Sequence, residues 1–419
     1  MIQKSVLDNG IRVITERIAG AHSVTVGFWV ENGSRHEQES QNGISHFIEH
    51  MLFKGTERRS ALAIAKEVDS VGGVLNAFTS REYSCYYAKV LARKLNLAVD
   101  LLSDIVLNSI FDLDEVEKER RVVLQEIHML EDTPDDLVHD LFSQTFWEGH
   151  PLGRSIIGTM ETVGNISRES LLAFMHERYC GSNIIVCAAG DLEHGHIVES
   201  ISEAFHRVAA GSRPPLCSLP EYRHRIRTVD KNLEQVHLCL GTRALPQNHP
   251  NRFESYLLNA ILGGSMSSRL FQKIREEQGL AYSIYSYLNC HSDAGALVLY
   301  AGTSPEDAPH VTGIMLKELN RFKTEPVSDD EMHFAREQLK GQLLLSMEST
   351  DNRMTRLAKN EIYLGRNPAI SEVIAGFDRV SAADIQKLAA SILRDDFLTL
   401  QVMGRVNPGD FPAVDLTLG

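Results

Sequence analysis

The stretch HSVTVGFWVENGS, residues 22–34, reads as a strand, and the order of the elements after it decides the fold. Next comes a helix holding HFIEH (46–50), then a second helix, SALAIAKEVDSVGG (60–73). That helix leads into the alternating stretch VLNAFTSREYSCYYAKVL (74–91). KLNLAVDLLSDIVLNSIF (94–111) and the long helix DEVEKERRVVLQEIHMLED (114–132) complete the series. At QVHLCLGTRAL (235–245) a similar order starts again, followed by the helices RFESYLLNAILGG (252–264) and SSRLFQKIREEQG (267–279). The strands AYSIYSYL (281–288) and GALVLYAGT (295–303) come next, then helices over 305–323 and 328–347. Strand runs followed by helix runs, used twice, predict two similar α+β domains made by duplication, each an antiparallel-rich sheet flanked by helices.

Between the two series lies AAGSRPPLCSLPEYRHRIR (209–227), where three prolines and a glycine interrupt the helical period. The expected division is a first domain over 1–210, a linker over 211–228 and a second domain over 229–419. A chain of 419 residues suits two cores better than one. The second series has no His-x-x-Glu-His at its matching helix, so the chemistry is expected in the first.

Composition narrows the function. Forty-two basic against 56 acidic side chains leave a formal charge of −14. That argues against nucleic acid or an anionic membrane as partner, because phosphate binding needs clustered Lys and Arg. No apolar run is long enough to span a bilayer. The six cysteines are scattered without a CxxC pair and read as reduced thiols. The start, MIQKSVLDNGIRVITE, has no apolar leader core and reads as strand, Asn9-Gly10 turn, strand. A bacterial-type cytoplasm is expected, or a mitochondrial matrix if a leader was removed.

HFIEH raises the chemical question. Each helical residue advances about 100°, so with His46 at zero, His50 falls near +40° and Glu49 near −60°. Two imidazoles a turn apart on one arc suit two ligands of a single ion, and Glu49 lies beside them. The order inverts the H-E-x-x-H pattern of better-known zinc peptidases. A catalytic zinc needs a third protein ligand. On the helix 114–132, Glu119 and Glu126 are seven residues apart and project from one face, while Val116, Val123, Ile127 and Leu130 lie on a different, core-facing stripe.

GISHFIEHMLFKGT followed by ERRVVLQEI resembles the inverted-motif zinc peptidases, the family of insulin-degrading enzyme, pitrilysin and the mitochondrial processing peptidase. Seventy-five residues separate His50 from Glu126, which fits the family spacing. The likeness continues through GGVLNAFTSREYSCYY and GGSMSSRLFQKIREEQGLAYSIYS and so covers most of the chain. It is strongest toward bacterial processing-protease-like members and the catalytic β subunit of the mitochondrial enzyme.

The resemblance implies His46, His50 and Glu126 as ligands of one Zn2+ per chain, Glu49 as the general base, and Glu119 as a carboxylate behind the ligands. It implies that substrate lies along the edge strand at Asn76 and Ala77, and that Arg275 and Tyr282 contact substrate near the scissile bond. In larger relatives that last pair comes from the half-molecule facing the zinc, so here a second copy would supply it, making a homodimeric clamshell around a chamber. Asp136 and Asp140 resemble an acidic pair that selects Arg near the cut. The expected function is a zinc metalloendopeptidase of peptides, leader segments or unfolded chains. Two rivals stand beside it: a non-catalytic assembly subunit of the same family, and a peptidase whose mate is a separate non-catalytic chain.

Overall fold

The computed structural model describes residues 1–214, 217–406 and 416–418, which fall into two compact units. The first takes Met1–Met129, Arg154–Cys217 and Leu345–Asn367; the second takes Leu130–Gly153, Ser218–Leu344 and the chain from Pro368 on. No helix among the described residues is long and apolar enough to cross a membrane.

The first unit is built on a six-stranded sheet of β1 (Ile2–Val6), β2 (Arg12–Arg17), β3 (Ser23–Val30), β4 (Val74–Thr79), β5 (Ser84–Leu91) and β6 (Ile184–Gly190). Their spatial order is β1-β2-β6-β3-β5-β4, and only β2 and β6 pair in parallel. The second unit's sheet holds β7 (Arg225–Asp230), β8 (Val236–Arg243), β9 (Ala281–Cys290), β10 (Gly295–Thr303) and β11 (Thr399–Gly404). Its order is β7-β11-β8-β10-β9, again with one parallel pair, β7 with β11. Set aside β1, and both sheets place their strands in the same sequence of chain order and direction. The duplication expected from element order is thus a duplication of topology.

One face of the first sheet packs on α1 (Ile44–Met51), α2 (Ala61–Asp69), α3 (Leu95–Asn108) and α4 (Leu113–Glu131). Val24, Val26, Phe28 and Val30 of β3 meet Phe47, Ile48, Leu102 and Val123 there, all essentially without solvent contact. The opposite face is also apolar, with Ile14, Trp29, Ile185 and Cys187, which is why β3 and β6 read as continuous apolar runs. That face is covered by a helix from late in the chain, Thr350–Leu364, through Met354, Leu357 and Ala358. The second unit repeats the device. Its outer sheet face, with Cys239, Val298 and Tyr300, is covered by α5 (Pro134–Phe146) through Val138, Phe142 and Phe146.

Glycine makes room for both covering helices at equivalent places. A Cβ on Gly27 of β3 would lie 2.5 Å from the Met354 sulfur, and one on Gly241 of β8 would lie 2.2 Å from the Phe142 ring. Each unit therefore takes in one helical segment from the other half of the chain. In this the units differ from the contiguous stretches 1–210 and 229–419: a sheet apolar on both faces needs two layers, and the nearest segment in sequence is not the one that supplies the second. Two further differences concern single elements. β6 and β11, absent from the sequence reading, lie inside their sheets, β6 between β2 and β3 and β11 between β7 and β8. The helix expected over 267–279 is realised as a π-helical turn, Phe271–Glu276.

Candidate metal centre

The eight residues of α1 bury Ile44, Phe47, Ile48 and Met51, which leaves His46, Glu49 and His50 half-buried on the other side. α4 buries Val116, Val123 and Ile127 and so turns Glu119 and Glu126 toward α1. Arg120 reinforces the approach: its guanidinium lies 5.5 Å from the Phe47 ring centroid and donates to the Val163 carbonyl at 2.5 Å.

The result is a three-sided cluster. Glu126 Oε2 lies 3.7 Å from His46 Nε2 and 3.6 Å from His50 Nε2, and the two rings are 4.6 Å apart between centroids. One ligand atom from each of these three residues falls within 4.8 Å of the other two. Ligands bonded at about 2.1 Å around a tetrahedral ion sit roughly 3.4 Å apart, so a small contraction of this set suits zinc. The chemistry of the donors agrees. Burial, and then the neighbouring His50, push His46 down to about 4, keeping it the neutral imidazole that ligates. Among the described residues, the buried Nδ1 of His46 has no hydrogen-bond partner. A set of two imidazoles and one carboxylate fits a hydrolytic zinc site.

Glu119 sits behind His50. Its Oε1 is 3.6 Å from His50 Nδ1, the ring nitrogen that does not face Glu126, and its other oxygen pairs with Lys54. Burial pushes the Glu119 carboxyl up, but His50 and Lys54 outweigh it, and the net shift is downward. For His50 burial acts downward and loses to Glu119, Glu126 and Glu49, so the ring is drawn toward its charged form. A carboxylate on the far nitrogen of a ligating histidine fixes the ring and raises its basicity.

Glu49 has a different environment. Burial pushes its carboxyl up, opposed by the Thr79 hydroxyl, which donates to Oε2 at 2.6 Å, and by His50. A half-buried carboxylate raised toward neutrality is a competent proton acceptor. Thr79 belongs to β4, an edge strand of its sheet. On β4, Asn76 is exposed, Ala77 is half-buried, and the Asn76 Oδ1 accepts from the Ala77 amide at 2.8 Å.

The remaining expected residues lie in the second unit. The Arg275 guanidinium, on the π-helical turn, is 4.6 Å from the centre of the Tyr282 ring and 4.8 Å from that of Phe271. Tyr282, on the edge strand β9, is 78% exposed. On α5, Asp136 is exposed, and Asp140, half-buried, accepts from Gln144 at 2.9 Å.

Lys54 and Thr79 escaped the sequence reading. Lys54 carries a signal, standing one helical turn after His50. Thr79 carries a weaker one, two residues beyond Ala77 on the same strand face.

Known proteins resemble this chain in sequence and in fold. Residues 12–160 match the model for insulinase, peptidase family M16, and residues 165–339 match that for the M16 inactive domain. A Bacillus subtilis protein named as an uncharacterized zinc protease, YmxG, is 41% identical over 95% of this chain and 97% of its own length. A zinc protease of Streptomyces coelicolor, also named as uncharacterized, is 37% identical over 94% of this chain and 87% of its own. Among solved structures, a protease from Helicobacter pylori aligns over 96% of this chain and 99% of its own, with a TM-score of 0.88 at 21% identity. An M16 inactive-domain protein from Pseudomonas fluorescens gives 0.90 at 17% identity, over 96% of this chain and 98% of its own. These two structural likenesses concern the fold alone.

Proposed function

The chain belongs to peptidase family M16, and from that premise we propose that it is a zinc-dependent endopeptidase of peptides, leader segments or unfolded chains, holding one zinc ion per chain. The observation that carries this reading is the convergence of His46, His50 and Glu126, from two distant helices, on one point. Zinc held there would supply Lewis acidity to a water molecule and to the substrate carbonyl. The rest falls to side chains. Glu49 takes a proton from the attacking water and passes it to the leaving amine, while Thr79 keeps its carboxylate aimed. Glu119 and Lys54 hold the His50 ring in one orientation.

Substrate adds to the free edge of β4 at Asn76 and Ala77 as one more strand, a mode that the exposed edge position supports. Arg275 and Tyr282, on a second copy of the chain in a homodimeric chamber, steady the negative charge developing on the carbonyl oxygen. Asp136 and Asp140 favour peptides with Arg near the cut, since a guanidinium meets two carboxylates in a demanding geometry. The bacterial relatives suit a cytoplasmic setting.

The test is metal content together with cleavage of a quenched peptide, with and without chelator. Glu49→Gln keeps the ion and loses turnover; a variant that cleaves like the wild type defeats the reading. A wild-type chain that binds metal but cleaves nothing favours the assembly-subunit alternative. For the dimer, mixing inactive His46→Ala and Arg275→Ala proteins restores part of the activity. No recovery, with subunit exchange demonstrated, argues against supply in trans.

A further inference from the structure

The helix carrying both histidines starts without a cap of its own. Its N-cap is Gly43, in the left-handed region at φ 94°, so no side chain at that position satisfies the first amides. In a helix of eight residues few internal bonds compensate, and its register depends on how its start is held. A carboxylate six residues upstream does the holding. Glu37 Oε2 accepts from the Gly43 amide at 2.8 Å and from Asn42 Nδ2 at 3.0 Å, and Oε1 accepts from the Ser45 amide at 2.9 Å. Glu37 is 5% exposed, and all three of these partners are donors. A buried negative charge at that point also opposes the positive end of the helix dipole.

We propose that Glu37 is a positioning residue of the metal centre, acting as a remote cap that fixes the register of His46 and His50. The inference rests on the peptidase reading. Slippage of α1 by one residue would swing both imidazoles about 100° away from Glu126. The anchor is itself fixed. The Ser34 amide donates to the Ser80 carbonyl at 3.1 Å and the Arg35 amide to the Arg81 carbonyl at 2.9 Å. Buried Arg35 then reaches buried Glu82 at 2.6 Å. Residues 80–82 lie in the turn between β4 and β5, directly after Thr79, which holds Glu49. One hairpin thus references both the start of the ligand helix, through Glu37, and the proton acceptor, through Thr79.

The experiment compares wild type, Glu37→Gln and Glu37→Ala in three measurements. These are zinc affinity by chelator competition, the visible spectrum of the cobalt-loaded protein, and the unfolding midpoint with and without metal. Glu37→Gln keeps one acceptor and is expected to weaken zinc about 10-fold, and Glu37→Ala about 100-fold. Both alter the cobalt bands and shrink the midpoint rise that metal confers, which a general loss of stability does not do. If Glu37→Ala fails to fold, Glu37→Gln decides. Wild-type affinity and cobalt spectrum in folded Glu37→Gln overturn the proposal. So does failure of both variants to fold, which would make Glu37 a residue of the fold at large. A wild-type protein that binds no metal overturns the peptidase reading instead.

Discussion

Thr79→Val removes one hydroxyl from the site and almost no volume. The lost contact is the 2.6 Å hydrogen bond from Thr79 Oγ1 to Glu49 Oε2. Its length is that of a charge-assisted bond, and bonds to charged groups contribute about 1.5–3 kcal/mol. If that energy is realised in the transition state, where Glu49 must be aimed at the attacking water, kcat/KM falls by about 10- to 150-fold. Metal content stays unchanged, because Thr79 touches none of the three ligands. The pH profile carries a second signature. A donor stabilises the ionised carboxylate, so its removal lifts the Glu49 pKa further than burial already does. The acid limb of kcat/KM then moves to higher pH, and the variant loses most at low pH. The assay is cleavage of a quenched peptide across the pH range with zinc measured in parallel. A variant within about threefold of wild type, with an unshifted acid limb, would falsify the role given to Thr79.

Glu119→Gln weakens zinc binding by about 10- to 100-fold, since Lys54 then faces no charge and the far nitrogen of His50 loses its carboxylate; unchanged affinity in a chelator titration rejects that role. Asp140→Ala abolishes any preference for Arg in a peptide-library digest while leaving turnover of the preferred backbone intact, and a preference that persists removes Asp140 from substrate selection. Acid stability gives a check remote from the metal. Burial works against ionisation of Glu331, but Arg269, bidentate at 2.6 and 2.9 Å, and the Ser328 amide hold its carboxyl down at about 2. A depressed pKa means the stabilisation is present above about pH 4.5 and is lost as pH falls toward 2. Glu331→Gln therefore costs about 1–2 kcal/mol at neutral pH, discounted for partial exposure, and little at pH 2. Denaturation curves that lose as much stability on acidification in the variant as in the wild type contradict this.

The metal cluster was legible in the sequence because helical geometry is local. Residues spaced i, i+3 and i+4, as His46, Glu49 and His50 are, share an arc on a helix, and Glu119 and Glu126 share a face seven residues apart. That the two faces meet was not deducible from either helix alone; it follows from the packing of Phe47, Ile48, Val116 and Val123 in one core. The two α+β halves were legible for the same reason, as runs of matching period. What tertiary structure alone decided is non-local. The places of β6 and β11 in their sheets were hidden because their partners lie far away in sequence, β2 and β3 for one, β7 and β8 for the other. The exchange of Pro134–Phe146 and Thr350–Leu364 between halves depends on which apolar sheet face needs covering, with Gly27 and Gly241 as its quiet marks. Glu37 acts through hydrogen bonds from partners five to eight residues away and Thr79 through one to a partner thirty away, and a hydrogen bond between a side chain and a distant group leaves no period in a sequence.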